Sequence, residues 1–242
     1  MLLHWKRNVC LGLLWPVLRA QARHVRRVTP RMPEAHGPRS GCNGRGPVFR
    51  VLVAGDSGAA GVGVQSQEDA LCGQLVHCLE REFRVQWQVL AANGLDSPGL
   101  LRLLEDHPAQ PFDAVVLSIG ANDATRLCTP QDWLRWQNEL AQTIATRFAP
   151  RILVHTAVPP MHACQALPQP LRWFMGRWAG AMNRALAQRL MGDATRSVHA
   201  HPATTVTHGM AIDGIHPDKN GYRGWAQSLG THIVARRQET FQ

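Results

Sequence analysis

Four short loops carry the side chains that could take part in covalent chemistry. A serine hydroxyl is a weak nucleophile until a base removes its proton, and a histidine held by a carboxylate can serve as that base. His216 is the only histidine that follows an aspartate by three residues in a glycine-containing loop. We therefore expect Asp213 to hold one ring nitrogen while the other faces Ser57. The loops are Gly55-Asp56-Ser57, Asn93-Gly94, Gly120 to Asp123, and Asp213 to Pro217.

The same loops offer donors for a developing oxyanion. Attack on an acyl carbonyl produces a tetrahedral oxyanion, which needs hydrogen-bond donors that are already in place. The backbone N–H groups of Ser57 and Gly94 and the side-chain amide of Asn122 are the candidates. A glycine at position 94 allows close approach of the backbone, and an amide at position 122 donates without titrating.

The glycine-rich run after Ser57, GAAGVGV, does not fit the other glycine-rich motifs. A P-loop requires GxxxxGK[ST], and no Lys-Ser or Lys-Thr follows these glycines. A dinucleotide fingerprint requires GxGxxG, whereas the order from Gly58 is GxxGxG. The GxSxG nucleophile elbow is absent because Ala59 occupies the last glycine position. The run is best interpreted as a turn that leaves Ser57 exposed.

Taken together, these blocks resemble the SGNH, or GDSL-type, esterases and lipases. The four block residues of that family match Ser57, Gly94, Asn122 and His216, and Asp213 completes its DxxHP motif. The resemblance covers about residues 48 to 235. It implies a flavodoxin-like three-layer α/β/α fold, no metal or cofactor, and ester hydrolysis through an acyl-enzyme on Ser57. Gly58 replaces the leucine of GDSL, and the run resembles the GDS-x-AAGVG variant of bacterial members.

The identity of the substrate remains open at this level. Lipid or lysophospholipid acyl esters, generic short-chain esters and acetyl esters on sugars are all compatible with the same residues. A different class of function is a flavodoxin-like phosphate- or nucleotide-binding module that hydrolyses nothing. The pair Asp213 and His216 argues against that module, because phosphate binding gives no reason to keep it beside Ser57.

The elements that must position these loops alternate along the chain. Apolar or alternating runs predict strands at Val48 to Ala54, Val85 to Ala91, Ala114 to Ile119, Arg151 to Ala157 and Ser197 to Ala200, with helical patterns between them. Strands joined through helices predict a parallel sheet with helices on both faces. In such sheets the site lies beyond the carboxyl ends of the strands, where the four loops fall. Ser97-Pro98 and Thr129-Pro130 each predict a helix cap followed by proline.

The net charge of +9 comes from the first 50 residues, which hold ten Lys or Arg and one acidic residue. The remaining chain has 16 basic and 16 acidic residues. Because a nucleic-acid enzyme needs its positive field around the cleft, we predict no nucleic-acid partner. The six cysteines form no CxxC pair and the twelve histidines form no HExxH, so a zinc site is not supported.

The chain divides into an N-terminal extension and linker, residues 1–47, and a hydrolase domain, residues 48–242. The apolar run from Val9 to Leu18 covers about 15 Å as a helix, too short to span a bilayer of about 30 Å. Three alternatives remain: an anchor on an anionic membrane surface through residues 1–27, an export signal ending near Ala20-Gln21-Ala22, and a helix packed on the domain. The first is preferred, which predicts a cytoplasmic protein associated with the membrane.

Several other residues admit a structural interpretation. Asp56 is expected to hydrogen-bond within its turn, and Asp123 to brace the loop that follows the third strand. The apolar residues after the fourth strand, in Val158 to Met161 and in Leu167 to Met175, with Leu171, Trp173, Phe174 and Met175 among them, could line an acyl pocket or pack in the core.

Overall fold

The computed structural model describes residues 2–202 and 209–240; for residues 2–13 and 240 only the backbone is described. The described strands and helices follow one another in the predicted alternation. In chain order they are α1 (Leu2–Val28), β1 (Ser40–Asn43), β2 (Val48–Gly55), α2 (Ser57–Ala60), α3 (Leu71–Leu79), β3 (Arg84–Ala91), α4 (Ser97–Asp106), β4 (Ala114–Ser118), α5 (Ala121–Thr125), α6 (Pro130–Phe148), β5 (Ile152–Thr156), α7 (Leu171–Arg189), β6 (Arg196–His199) and α8 (Lys219–Thr240).

The strands form one sheet in the order β1-β3-β2-β4-β5-β6. The five strands from β2 onward pair in parallel. Numbered from β2, their order is 2-1-3-4-5, which is the flavodoxin-like arrangement. The predicted α/β class and its five parallel strands are therefore confirmed.

The predicted linker contains a strand that the sequence interpretation missed. β1 pairs antiparallel with β3 at the edge of the sheet, with Ser40 opposite Gln88. Its sequence, SGCN, is exposed at every position, so it has no apolar alternation by which a strand is recognised. Pairing with the sheet edge, not burial, holds this segment extended.

Helices cover both faces of the sheet. Because successive side chains of β2 point to opposite faces, Val51 and Val53 pack in the core beneath α3 and α8, whereas Leu52 packs beneath α4 and α6. A third apolar cluster joins α1 to α7. This arrangement is the predicted three-layer α/β/α architecture.

Two predicted helix caps had different outcomes. The Thr129 hydroxyl accepts a hydrogen bond from the Asp132 backbone N–H at 3.1 Å, so Thr129 caps α6 as expected. The predicted Ser97 cap of α4 is wrong by one residue. Asp96 caps that helix by accepting from the Gly99 N–H at 3.0 Å, and Ser97 is already helical. Asp96 is favoured over Ser97 as the cap because its carboxylate reaches a free N–H of the first turn and its negative charge is stabilised at the positive end of the helix.

The second half of α1 packs on the domain. Leu18 and Val25 are buried in the cluster formed with α7, and the Gln21 amide donates to the Gln169 carbonyl at 2.7 Å. For residues 14–28 the structure thus matches the third alternative, a helix packed on the core. The preferred membrane anchor would place the side chains of Leu2, Leu3, Trp5, Leu11, Leu13, Leu14, Trp15 and Leu18 in lipid. The first five lie outside the described side chains, Trp15 is exposed, and Leu18 is buried against the domain. Among the described helices, none has the length and apolarity needed to cross a membrane.

Candidate active site

The first candidate residue, Ser57, begins α2 directly after β2 ends. At Gly55, the last residue of β2, a Cβ would lie 1.9 Å from the Ser118 carbonyl oxygen, so only glycine fits. The Asp56 N–H donates to that same carbonyl at 3.0 Å. These contacts tie the ends of β2 and β4 together and place Ser57 beyond the carboxyl edge of the sheet.

Asp56 caps the short helix that carries Ser57. Its carboxylate accepts a hydrogen bond from the Gly58 N–H at 3.2 Å, as the predicted role within the turn requires. The side chain is buried, and burial raises the pKa of Asp56 to about 7 despite that hydrogen bond. Asp56 therefore caps the turn with a carboxyl group whose pKa is close to neutral pH.

The structure brings together Ser57, His216 and Asp213. The Nε2 atom of His216 lies 2.9 Å from the Ser57 Oγ, and its Nδ1 atom lies 2.5 Å from Oδ2 of Asp213. The other oxygen of Asp213 accepts from the backbone N–H groups of Ile215 and His216, both at 3.0 Å. The carboxylate thus orients the ring and the loop that carries it.

Burial alone would raise the pKa of Asp213, but its hydrogen bonds work in the opposite direction. The His216 ring and the His216 and Ile215 backbone N–H groups outweigh burial and hold the pKa of Asp213 below its usual value. Asp213 is therefore ionised at neutral pH, as a carboxylate that orients a histidine base must be.

The last helix locks the histidine loop against the serine loop. The Tyr222 hydroxyl, on α8, donates to the Val62 carbonyl at 2.7 Å. At Gly63, where φ is +109°, a Cβ would lie 2.2 Å from the Pro217 carbonyl oxygen. Two segments about 150 residues apart in the chain are thereby held in backbone contact, which fixes the separation of Ser57 and His216.

The two remaining loops also meet at this edge. The Asn122 side-chain amide donates to the Leu95 carbonyl at 2.8 Å. Asp123 braces the pair as expected, because its carboxylate accepts from the Ser97 N–H at 3.1 Å. Gly94 has φ +81° with open space around the position of a Cβ, so backbone conformation and not crowding favours glycine there.

Donor groups remain for an oxyanion. No acceptor for the backbone N–H of Ser57 or Gly94 is found within the part of the chain that is described. The Asn122 amide uses one of its two N–H bonds on Leu95 and keeps the other. With a hydroxyl, a base, a carboxylate and these donors side by side, the arrangement can carry out acyl transfer.

A cavity of about 650 Å³ opens over Ser57 and His216. That volume lies within the range of small-molecule sites. Among the residues that the sequence left undecided between acyl pocket and core, Leu171 and Met175 line the cavity, whereas Trp173 is about half exposed outside it. His201 also lines it, with its Nε2 2.9 Å from the Ala157 carbonyl oxygen, and burial lowers the pKa of His201 to about 4.

One wall of this cavity comes from the N-terminal segment. Ala22, Val25 and Arg26 of α1 and the stretch from Thr29 to Met32 face the same space as Ser57. The sequence interpretation placed residues 1–47 outside the catalytic domain and missed this wall. The only sequence signal for this wall was the possibility that α1 packs on the core. Nothing in the residue pattern of the linker indicates a substrate site. Across the residues described, no group of three or more His, Cys, Asp or Glu is arranged to hold a metal ion.

The sequence of this chain is similar to that of a known family of proteins. Residues 53–223 match the model of the GDSL-like lipase/acylhydrolase family. A GDSL-like esterase of Mycobacterium tuberculosis is 29% identical over 172 residues, which cover 64% of this chain. The chain spans about half, 54%, of the length of that curated relative.

Solved structures share the fold at lower identity. A lipase from a goat rumen metagenome is 18% identical with a TM-score of 0.58, covering 75% of this chain and 95% of its own. Est24, a carbohydrate acetylesterase from Sinorhizobium meliloti, is 17% identical with a TM-score of 0.56, covering 77% of this chain and 99% of its own. At such identities the likeness establishes the fold alone.

Proposed function

The chain belongs to the GDSL-like lipase/acylhydrolase family, and from that premise we propose that it hydrolyses carboxylic esters through an acyl-enzyme on Ser57. The observation that carries the proposal is the continuous set of contacts from Ser57 Oγ through the His216 ring to the Asp213 carboxylate. His216 takes the serine proton as the hydroxyl attacks the ester carbonyl, and returns it to the leaving alcohol. Water, activated by the same ring, then releases the acid.

The oxyanion of each tetrahedral intermediate is stabilised by the Ser57 and Gly94 backbone N–H groups and the Asn122 amide. Asn122 is held by Leu95 before substrate arrives, so little reorganisation is required at the moment of reaction. Asp213 keeps the His216 ring in the tautomer with a proton on Nδ1, which leaves Nε2 as the base.

Hydrolysis of an ester is favoured over phosphate or nucleotide binding without reaction. A binding module has no use for a buried carboxylate that orients a histidine onto a serine. The apolar residues of the cavity suit an acyl group, and we favour lipid or short-chain acyl esters. An acetyl ester on a sugar, the substrate type in the name of Est24, is the other candidate.

We also propose that the protein is cytoplasmic and associates with anionic membrane surfaces through residues 1–27. On the outward side of α1, Arg19, Arg23 and Arg27 are exposed while Leu18 and Val25 face the domain, and Arg26 is exposed at the edge of the cavity. Arginines held in this way are free to contact head groups. Export through an N-terminal signal is the alternative.

The catalytic proposal is tested by hydrolysis of 4-nitrophenyl esters from acetate to palmitate by the full chain. Ser57→Ala should lower kcat by on the order of 10⁴-fold, and Asp213→Asn by roughly 10²-fold to 10⁴-fold, because each removes part of one unit. Ser66→Ala, nine residues later in the chain and outside the cavity lining, is the matched control and should keep the wild-type rate. A fluorophosphonate should label Ser57; equal rates for wild type and Ser57→Ala would reject the proposal.

A further inference from the structure

Two arginines of the N-terminal segment face the same cavity as the serine. Arg26 lies near the end of α1 and Arg31 in the segment that follows, and both guanidinium-bearing side chains are exposed to solvent. The rest of the cavity wall is largely apolar and includes Val25, Met32 and Leu171. A substrate bound over Ser57 would therefore have two positive charges on one side of its cavity.

Neither arginine is used for a salt bridge within the described residues. No carboxylate lies within 4.0 Å of Arg26 or Arg31 there, unlike Arg126, which pairs with Asp96 nearby. The two acidic residues that line the cavity are buried and already engaged. Asp213 holds His216, and Asp56 accepts from Gly58. The exposed part of the cavity thus carries an unbalanced charge of two arginines.

Such an arrangement suits an anionic partner. A guanidinium remains charged at any working pH and presents paired donors that match a carboxylate or phosphate. Next to an apolar wall, its attraction for an anion is stronger than in bulk water. Two arginines with no carboxylate partner at the edge of an apolar substrate site are well suited to select a substrate by charge.

We propose that Arg26 and Arg31 bind an anionic group, a carboxylate or phosphate, located on the ester substrate away from the scissile carbonyl. This inference rests on the proposed esterase function and specifies its substrate class: an ester with an apolar acyl portion and a negative charge within reach of the mouth of the cavity. It assigns the N-terminal segment a part in substrate recognition.

The test compares matched neutral and anionic esters in the full chain. The first pair is 4-nitrophenyl hexanoate and the mono-4-nitrophenyl ester of adipic acid, which carries a carboxylate at the far end of an acyl chain of equal length. The second pair is 1-hexanoylglycerol and 1-hexanoylglycerol 3-phosphate. The carboxylate pair and the phosphate pair distinguish the two sources of negative charge.

The double variant Arg26→Gln/Arg31→Gln should lower kcat/KM for at least one anionic ester by roughly tenfold or more, the size expected for losing a charge-assisted hydrogen bond. Most of this loss should lie in KM, and the neutral partner ester should change less than about twofold. Arg23→Gln/Arg27→Gln, on the same helix but outside the cavity lining, is the control and should leave both esters unchanged.

The outcomes separate this inference from the function on which it rests. Hydrolysis that depends on Ser57 but responds equally to the Arg26/Arg31 change for neutral and anionic esters would overturn the inference alone. Absence of hydrolysis that depends on Ser57 for all four esters would overturn the proposed function, and the inference with it. Selective loss on the carboxylate or on the phosphate ester supports the inference and identifies the anion.

Discussion

Among single residues, the two buried aspartates beside Ser57 have pKa values shifted in opposite directions. Asp213 receives hydrogen bonds from the His216 ring and two backbone N–H groups, so its pKa is lowered. Asp56 is dominated by burial, which raises its pKa to about 7. Two carboxyl groups in one site are therefore adapted to different tasks, one as a charged orienting group and one as a structural cap.

Asp56→Asn is expected to retain the cap, because an amide oxygen can accept from the Gly58 N–H, and kcat should stay within about tenfold of wild type. Its effect on stability should depend on pH. The folded pKa lies above the usual value of 3.8, so the stability that protonated Asp56 supplies is complete below pH 4 and is lost as pH rises through 7. The advantage of Asp56→Asn in unfolding free energy should grow over that window by on the order of 4 kcal/mol.

Urea unfolding of wild type and Asp56→Asn between pH 4 and 8 measures this difference. His216→Asn provides a comparison, since it removes an imidazole that acts electrostatically on Asp56 while leaving Asp56 in place. A constant difference between wild type and Asp56→Asn across the whole range would show that ionised Asp56 is not destabilised by burial.

For single residues, the sequence predicted contacts directly only where the partners are a few positions apart in the chain. Asp213 and His216 are three residues apart in one turn, so their contact follows from the loop itself. The placement of Ser57 against His216 depended on the rule that the loops after parallel strands share an edge. The Asp96 cap was missed because Asp96 and Ser97 are both good capping residues, and only the helix start decides between them.

At the level of elements, α1 is the segment whose role changed most between sequence and structure. Its arginines and short apolar run predicted contact with a membrane, which stays a prediction, and the structure adds that its second half closes one side of the cavity over Ser57. The sequence left packing on the domain as one of three alternatives, because Leu18 and Val25 are equally suited to lipid and to a protein core. β1 was missed for the complementary reason, since an exposed edge strand has no apolar pattern.

If α1 forms a wall of the acyl site, enlarging a side chain on its inner face should shorten the acyl chain that fits. Ala22→Trp should lower kcat/KM for 4-nitrophenyl octanoate by roughly tenfold relative to acetate, because the indole occupies space in the cavity. Ala20→Trp, two residues earlier and exposed, is the matched control and should keep the wild-type preference. An unchanged chain-length profile in Ala22→Trp, with the fold intact by circular dichroism, would show that α1 does not border the acyl group.

Across the whole molecule, the charge is divided between two parts. The positive excess belongs to the first 50 residues, and the rest of the chain is neutral overall. The structure places the exposed arginines of α1 around a helix that is fastened to the domain by Leu18, Val25 and Gln21. A surface bound through these arginines would therefore lie close to the opening of the cavity, which Arg26 also lines.

This distribution predicts salt-dependent binding to anionic vesicles. Each arginine near such a surface contributes about 1 kcal/mol, so Arg19→Gln/Arg23→Gln/Arg27→Gln should weaken binding to phosphatidylcholine vesicles containing phosphatidylglycerol by roughly 100-fold at low salt. Arg102→Gln/Arg189→Gln/Arg223→Gln removes the same charge from exposed positions of the domain and should have a much smaller effect. Cosedimentation at several salt concentrations measures both.

Because none of the three α1 positions lines the cavity, hydrolysis of a soluble ester should be unchanged in either variant. Equal binding to purely zwitterionic vesicles, insensitive to salt, would mean that the arginines do not direct the protein to anionic membranes.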